Sequence, residues 1–82
     1  MAKIKSKSIN KSVGLLIKSL RLEKDLSQES LADLSGLDRT YISGVERNQR
    51  NLTIKTLSKI ILHLVESESE FFRLLAKELG NE

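Results

Sequence analysis

Apolar positions recur with a helical period along most of this chain. Val13, Leu16, Ile17 and Leu20 follow one another at i, i+3, i+4 and i+7, which predicts a helix over residues 9–24 with one buried stripe. Ser27 is a good N-cap for a second helix over 28–35. Gly36 follows its last turn, where a left-handed residue is wanted. Asp38 stands at the N-cap of a third helix over 39–47, and residues 48–52 form a polar loop. Thr53 caps a fourth helix over 54–65, with Ile54, Leu57, Ile61 and Leu64 on one face. Ser67 and Glu70 make a capping box for a fifth, over 68–79. Nothing alternates with period two over a useful length, so the expected fold is all-α.

Residues 28–47, QESLADLSGLDRTYISGVER, read as two short helices crossing at a steep angle. Ala32 sits where the second helix meets the third, and a larger side chain there would push them apart. Gly36 opens the turn at the φ it needs. Leu31, Leu37, Ile42 and Val45 supply the apolar contacts of the inner faces. The pattern is that of a helix-turn-helix, the alternative being an ordinary αα-hairpin with a glycine turn.

In that arrangement Ile42 and Val45 point inward, while Arg39, Thr40 and Ser43 point outward from the half of the helix that enters a major groove. Arg39 can pair with guanine O6 and N7, and the Thr40 methyl can meet a thymine methyl. Tyr41 is suited either to the DNA backbone and the sequence between half-sites or to half-buried packing with its hydroxyl in water. Gly44 costs roughly 1 kcal/mol relative to alanine in mid-helix; it either lets the helix backbone approach DNA closely or is simply tolerated. Arg21 and Glu46 are the best candidates for a structural ion pair fixing the third helix against the first. Two solvated charges are the alternative.

Composition narrows the function. Eighty-two residues make one small domain: a basic arm over 1–8, then a DNA-binding and dimerisation domain over 9–82. Residues 1–24 hold seven Lys/Arg and one acid, 25–65 five of each sign, and 66–82 two bases and five acids. A basic front and an acidic back suit a molecule that meets a polyanion with one side. There is no cysteine and one histidine, His63, so neither a metal site nor a cofactor is expected. No nucleophile–base pair or phosphate-cradling glycine loop is present, so an enzyme is not expected. No apolar run approaches the roughly 20 residues that span a bilayer, and a cytoplasmic location is expected, with no membrane partner.

The stretch 13–65 resembles the phage-repressor-like helix-turn-helix family, the Xre family. In that family an arginine on the first helix bridges a glutamate ending the third, matching Arg21 and Glu46. A closer resemblance is to controller proteins of restriction–modification systems. It is carried by LDRTYISGVERNQRNLTIKTL at 37–57 and by EFFRLLAKEL in the fifth helix. Ser30 departs from the pattern, since many relatives carry an acid there. The resemblance implies a dimeric transcription factor that binds paired operators near its own gene and the endonuclease gene, activating at low occupancy and repressing at high. It implies base reading by Arg39 with Thr40, Tyr41 and Ser43 on bases or nearby backbone, and DNA backbone contacts from Gln28, Arg50 and Asn51. A plain phage-type repressor and an antitoxin-like interaction module are the competing readings.

Glu29 and Asp33, at i and i+4, put like charges on one face of the second helix. In phage-type activators the corresponding face touches RNA polymerase, so the two form a candidate activation patch, with a solvated acidic face as the alternative. The last two helices carry more apolar residues than one small domain can cover. Leu62, Val65, Phe71, Phe72 and Leu75 are therefore expected at a C2 homodimer interface, the alternative being that both phenylalanines fill the monomer core. A two-fold dimer would set two recognition helices about 34–36 Å apart, matching a pseudo-palindromic double-stranded operator.

Overall fold

The computed structural model describes residues 9–80, so the basic arm over 1–8 lies outside the described residues. Five helices follow in order: α1 Ile9–Glu23, α2 Gln28–Ser35, α3 Arg39–Glu46, α4 Ile54–Ile61 and α5 Glu68–Glu78. No strand occurs among the described residues. α3 packs between α1 and α2, α4 packs on α2 and α5, and α5 returns to α1. One core joins them, built from Ile17, Leu31, Ile42, Ile60, Ile61 and Phe71 at its centre.

The caps explain the boundaries. The Ser27, Thr53 and Ser67 side chains accept from the amides of Ser30, Thr56 and Glu70, each satisfying a donor the helix leaves open. Ser30, the departure from the family pattern, bonds the Ser27 hydroxyl at 3.0 Å instead of completing an acidic capping box. Glu70 reaches one residue further back than a capping box requires, accepting from the Glu66 amide at 3.0 Å. Each of the first three helices ends in a left-handed residue, with φ 58° at Asp25, 70° at Gly36 and 61° at Asn48. In each case the next amide bonds a carbonyl five residues back: Leu26 to Arg21, Leu37 to Ala32 and Gln49 to Gly44.

Three expectations need correction. α4 stops at Ile61 rather than 65, because the Leu62–Leu64 segment tightens into a turn. There the His63 and Leu64 amides bond carbonyls three residues back, and the turn brings Leu64 into the core, 2 % exposed. Ile54 is 73 % exposed, since the first residue of α4 protrudes ahead of the packed face; Ile60, outside the expected stripe, is fully buried instead. Phe71 and Leu75 belong to the monomer core. They lie one turn apart on the face of α5 that meets α1 and α4, which removes them from the expected dimer surface.

Candidate nucleic-acid interface

α3 is held at its C-terminal end and open at its N-terminal end. Arg21 Nε donates to Glu46 Oε2 at 2.7 Å and Nη2 donates to Oε1 at 3.0 Å. Arg21 Nη1 donates to the Leu26 carbonyl at 2.8 Å, and Gln28 Nε2 donates to Glu46 Oε1 at 3.0 Å. Both ionic side chains are buried, so the two charges are paired, and all three guanidinium nitrogens and both carboxylate oxygens are hydrogen-bonded, the condition under which a buried pair is tolerated. The expected Arg21–Glu46 pair is therefore present, and it ties α1, the α1–α2 turn, α2 and α3 to one carboxylate. Gln28, expected at a DNA phosphate, spends one amide hydrogen on Glu46.

A second lock was not visible from the apolar pattern. Gly14 lies on α1 where α3 crosses it, and a Cβ there would collide with the Val45 carbonyl oxygen. The signal in the sequence was a glycine inside the buried stripe of a helix, which costs roughly 1 kcal/mol and so calls for a packing reason.

At the open end, Asp38 occupies the N-cap position but makes no side-chain capping bond, and the first turn of α3 carries no acid. Arg39 and Thr40 are exposed. Tyr41 is half-buried, and its hydroxyl donates to the Asn51 carbonyl at 2.7 Å. The Arg50 guanidinium lies 5.8 Å from the Tyr41 ring centre, within cation–π range. Tyr41 is thus partly packed, as one of its two readings expects, but its hydroxyl is held by the loop rather than left in water. Thr40, Tyr41 and Arg50 line a shallow cleft with Gly36, Leu37 and Asp38 of the turn.

Ser43 does not share this exposure. It is 9 % exposed, which corrects the expectation that it points outward beside Arg39. It stands three residues before Glu46 on the same helix face, in the half of α3 held by the Arg21–Glu46–Gln28 network. Arg50 and Asn51 are exposed and belong to the loop that returns along α3. Gly44 does not present bare backbone to solvent, because the Arg50 stem covers it. Thr40, Tyr41, Arg50 and Asn51 are therefore brought together at the open end of α3, where Arg39 is exposed beside Thr40, while Gln28 sits at the other end on Glu46.

Glu29 and Asp33 are both exposed on α2. Of the residues expected between protomers, Leu62 is 71 % and Phe72 44 % exposed, and Val65 is half-buried against the core. The Phe72 ring meets Phe71 edge-on, with centres 5.6 Å apart. No group of three potential metal-ligating side chains occurs among the described residues. No helix there is long and apolar enough to cross a membrane.

Comparison with known proteins agrees with this geometry. The Helix-turn-helix family matches residues 17–71. Control protein C.MunI of Mycoplasma sp is 47 % identical over 66 residues, covering 79 % of this chain and 89 % of that protein. Control protein C.SmaI of Serratia marcescens is 56 % identical over 41 residues, half of each chain. The restriction–modification controller protein C.Esp1396I, solved as a tetramer on its natural 35-base-pair operator, superposes with a TM-score of 0.85 at 51 % identity, over 90 % of this chain and 97 % of that one. The chain belongs to the helix-turn-helix family and, within it, to the control proteins of restriction–modification systems.

Proposed function

We propose that this protein is a sequence-specific, dimeric DNA-binding regulator that controls its own gene and that of a restriction endonuclease. The observation that carries the reading is the division of α3: its C-terminal end is locked by the Arg21–Glu46–Gln28 network, while Arg39 and Thr40 project from its other end. A rigidly mounted helix end displaying an arginine beside uncapped amide groups suits a duplex, since those amides and the helix dipole favour an anion. Arg39 reads guanine, Thr40 meets a thymine methyl or the adjacent backbone, and Arg50 and Asn51 approach phosphates. Tyr41 contributes through its ring edge while its hydroxyl stays on the loop. The similarity to a controller protein solved on its operator supports the same assignment.

Two copies associate through the α4–α5 side, with the exposed Leu62 and Phe72 at the centre of the contact and Val65 beside them. Glu29 and Asp33 of α2 are then the face offered to RNA polymerase. Selection from a pool of random duplexes tests the whole reading. It is expected to enrich a pseudo-palindrome with half-site centres about one helical turn, 34–36 Å, apart. Equal recovery of all sequences would overturn it. Leu62→Glu with Phe72→Glu is expected to give a folded monomer in sedimentation with weakened operator binding, whereas an unchanged dimer would place the interface elsewhere.

A further inference from the structure

Gly44 lies inside regular α-helix, where glycine is poorer than any residue but proline, and no turn requires it there. Its reason lies on its surface. A Cβ at residue 44 would stand 2.5 Å from Arg50 Cγ and 3.5 Å from Arg50 Cδ and Nε. That is far inside van der Waals contact, so any side chain at 44 displaces the Arg50 stem. Tyr41 is three residues earlier on the same face of α3, and its ring faces the Arg50 guanidinium at 5.8 Å. The left-handed turn at Asn48 folds the loop back along this face, with the Gln49 amide bonding the Gly44 carbonyl at 2.7 Å. The Tyr41 hydroxyl then holds the Asn51 carbonyl at 2.7 Å on the far side of Arg50. Arg50 is thus confined from below, from the side and through the backbone on either flank, yet remains exposed to solvent.

We infer that Gly44 is a positioning residue for DNA recognition: its missing side chain is the seat of the Arg50 stem, and the seat aims the Arg50 guanidinium alongside the open end of α3. The inference rests on the DNA-binding role proposed for α3. Its physical sense is preorganisation. A long, rotamer-rich side chain already held in its binding direction loses less freedom when it meets a phosphate.

The test compares wild type, Gly44→Ala, Arg50→Ala and the double variant on the selected duplex across a salt series, with thermal melting of each free protein. Gly44→Ala is expected to weaken binding by roughly fivefold or more, and to lower the salt slope by about one, as Arg50→Ala does. Adding Gly44→Ala to Arg50→Ala is expected to change neither affinity nor slope. The same addition is expected to raise the melting temperature, because alanine is the better helix former once the stem is gone. Gly44→Ala alone brings no such rise. A Gly44→Ala protein that melts higher than wild type and binds with unchanged affinity and salt slope overturns the inference while leaving the proposed function standing. A wild-type protein without duplex preference overturns the proposed function itself, and the inference with it.

Discussion

The two ends of α3 lie only about 12 Å apart, and their chemistry is opposite. At the C-terminal end, Glu46 is buried, doubly bonded to Arg21 and bonded again to Gln28. Gly14 brings the backbones of α1 and α3 into direct contact beside it. At the N-terminal end, Asp38 leaves the first amides without a side-chain cap, and Arg39 and Thr40 are exposed. The difference shows how a small domain can fix a helix through one end while Arg39 and Thr40 stay exposed at the other. The ion-pair network acts at one end, and at the other the proposed DNA-reading role of Arg39 would use side chains that network leaves alone.

Breaking the locked end has the largest expected effect. Glu46→Ala leaves the Arg21 guanidinium buried and unpaired, a loss of about 3–5 kcal/mol. A domain of this size has only a few kcal/mol to lose, so circular dichroism in urea should show a protein largely unfolded at ambient temperature. A native-like urea midpoint would mean that α3 is held by other contacts. Altering the open end is expected to do the reverse. Arg39→Ala should cost roughly 1–3 kcal/mol of operator binding while its urea midpoint stays at the wild-type value. A large fall in stability would erase the distinction between the two ends. Arg50→Ala sharpens the comparison further: it should weaken all duplexes similarly and lower the salt slope by about one, without relaxing base preference.

The acidic face of α2 should be silent in both respects. Glu29→Gln with Asp33→Asn removes a like-charge pair worth a few tenths of a kcal/mol. Operator affinity and melting should barely move, and run-off transcription from the cognate promoter should lose its activation. If activation persists, the face is an ordinary solvated one.

The helix order was legible because the 3.6-residue period and the Ser27, Thr53 and Ser67 caps are local signals. The Arg21–Glu46 pair was legible as a charge following the apolar stripe of the first helix and a charge near the end of the third. The Gln28–Glu46 bond was not legible, because an amide on a first turn gives no local sign that a carboxylate from α3 will reach it. The adjacent phenylalanines show the limit of periodicity most clearly. Phe71 and Phe72 differ by 100° around α5, and only the approach of α1 and α4 decides that Phe71 is inside. Leu75, one turn on, follows it. Ser43 departs for a related reason: it follows Arg39 by one turn, but exposure does not continue along α3, whose later residues are buried from Ile42 to Glu46. Ile54 and Ile60 exchanged places because the first residue of α4 protrudes ahead of the packed face, while Ile60 lies on the face that meets the core. Gly14 and Gly44 each carried a signal, a glycine in mid-helix, whose meaning depended on what folds onto it: the α3 backbone at Val45 for Gly14, and the side chain of Arg50 in the following loop for Gly44.

The measurement that bears most directly on α3 as a reading helix is a parallel selection of random duplexes with wild-type and Arg39→Ala proteins, both shown folded by their melting curves. The expected result is a two-fold symmetric wild-type preference that Arg39→Ala keeps except at one base pair in each half-site, where it becomes indifferent. Identical base preferences from the two proteins would contradict it.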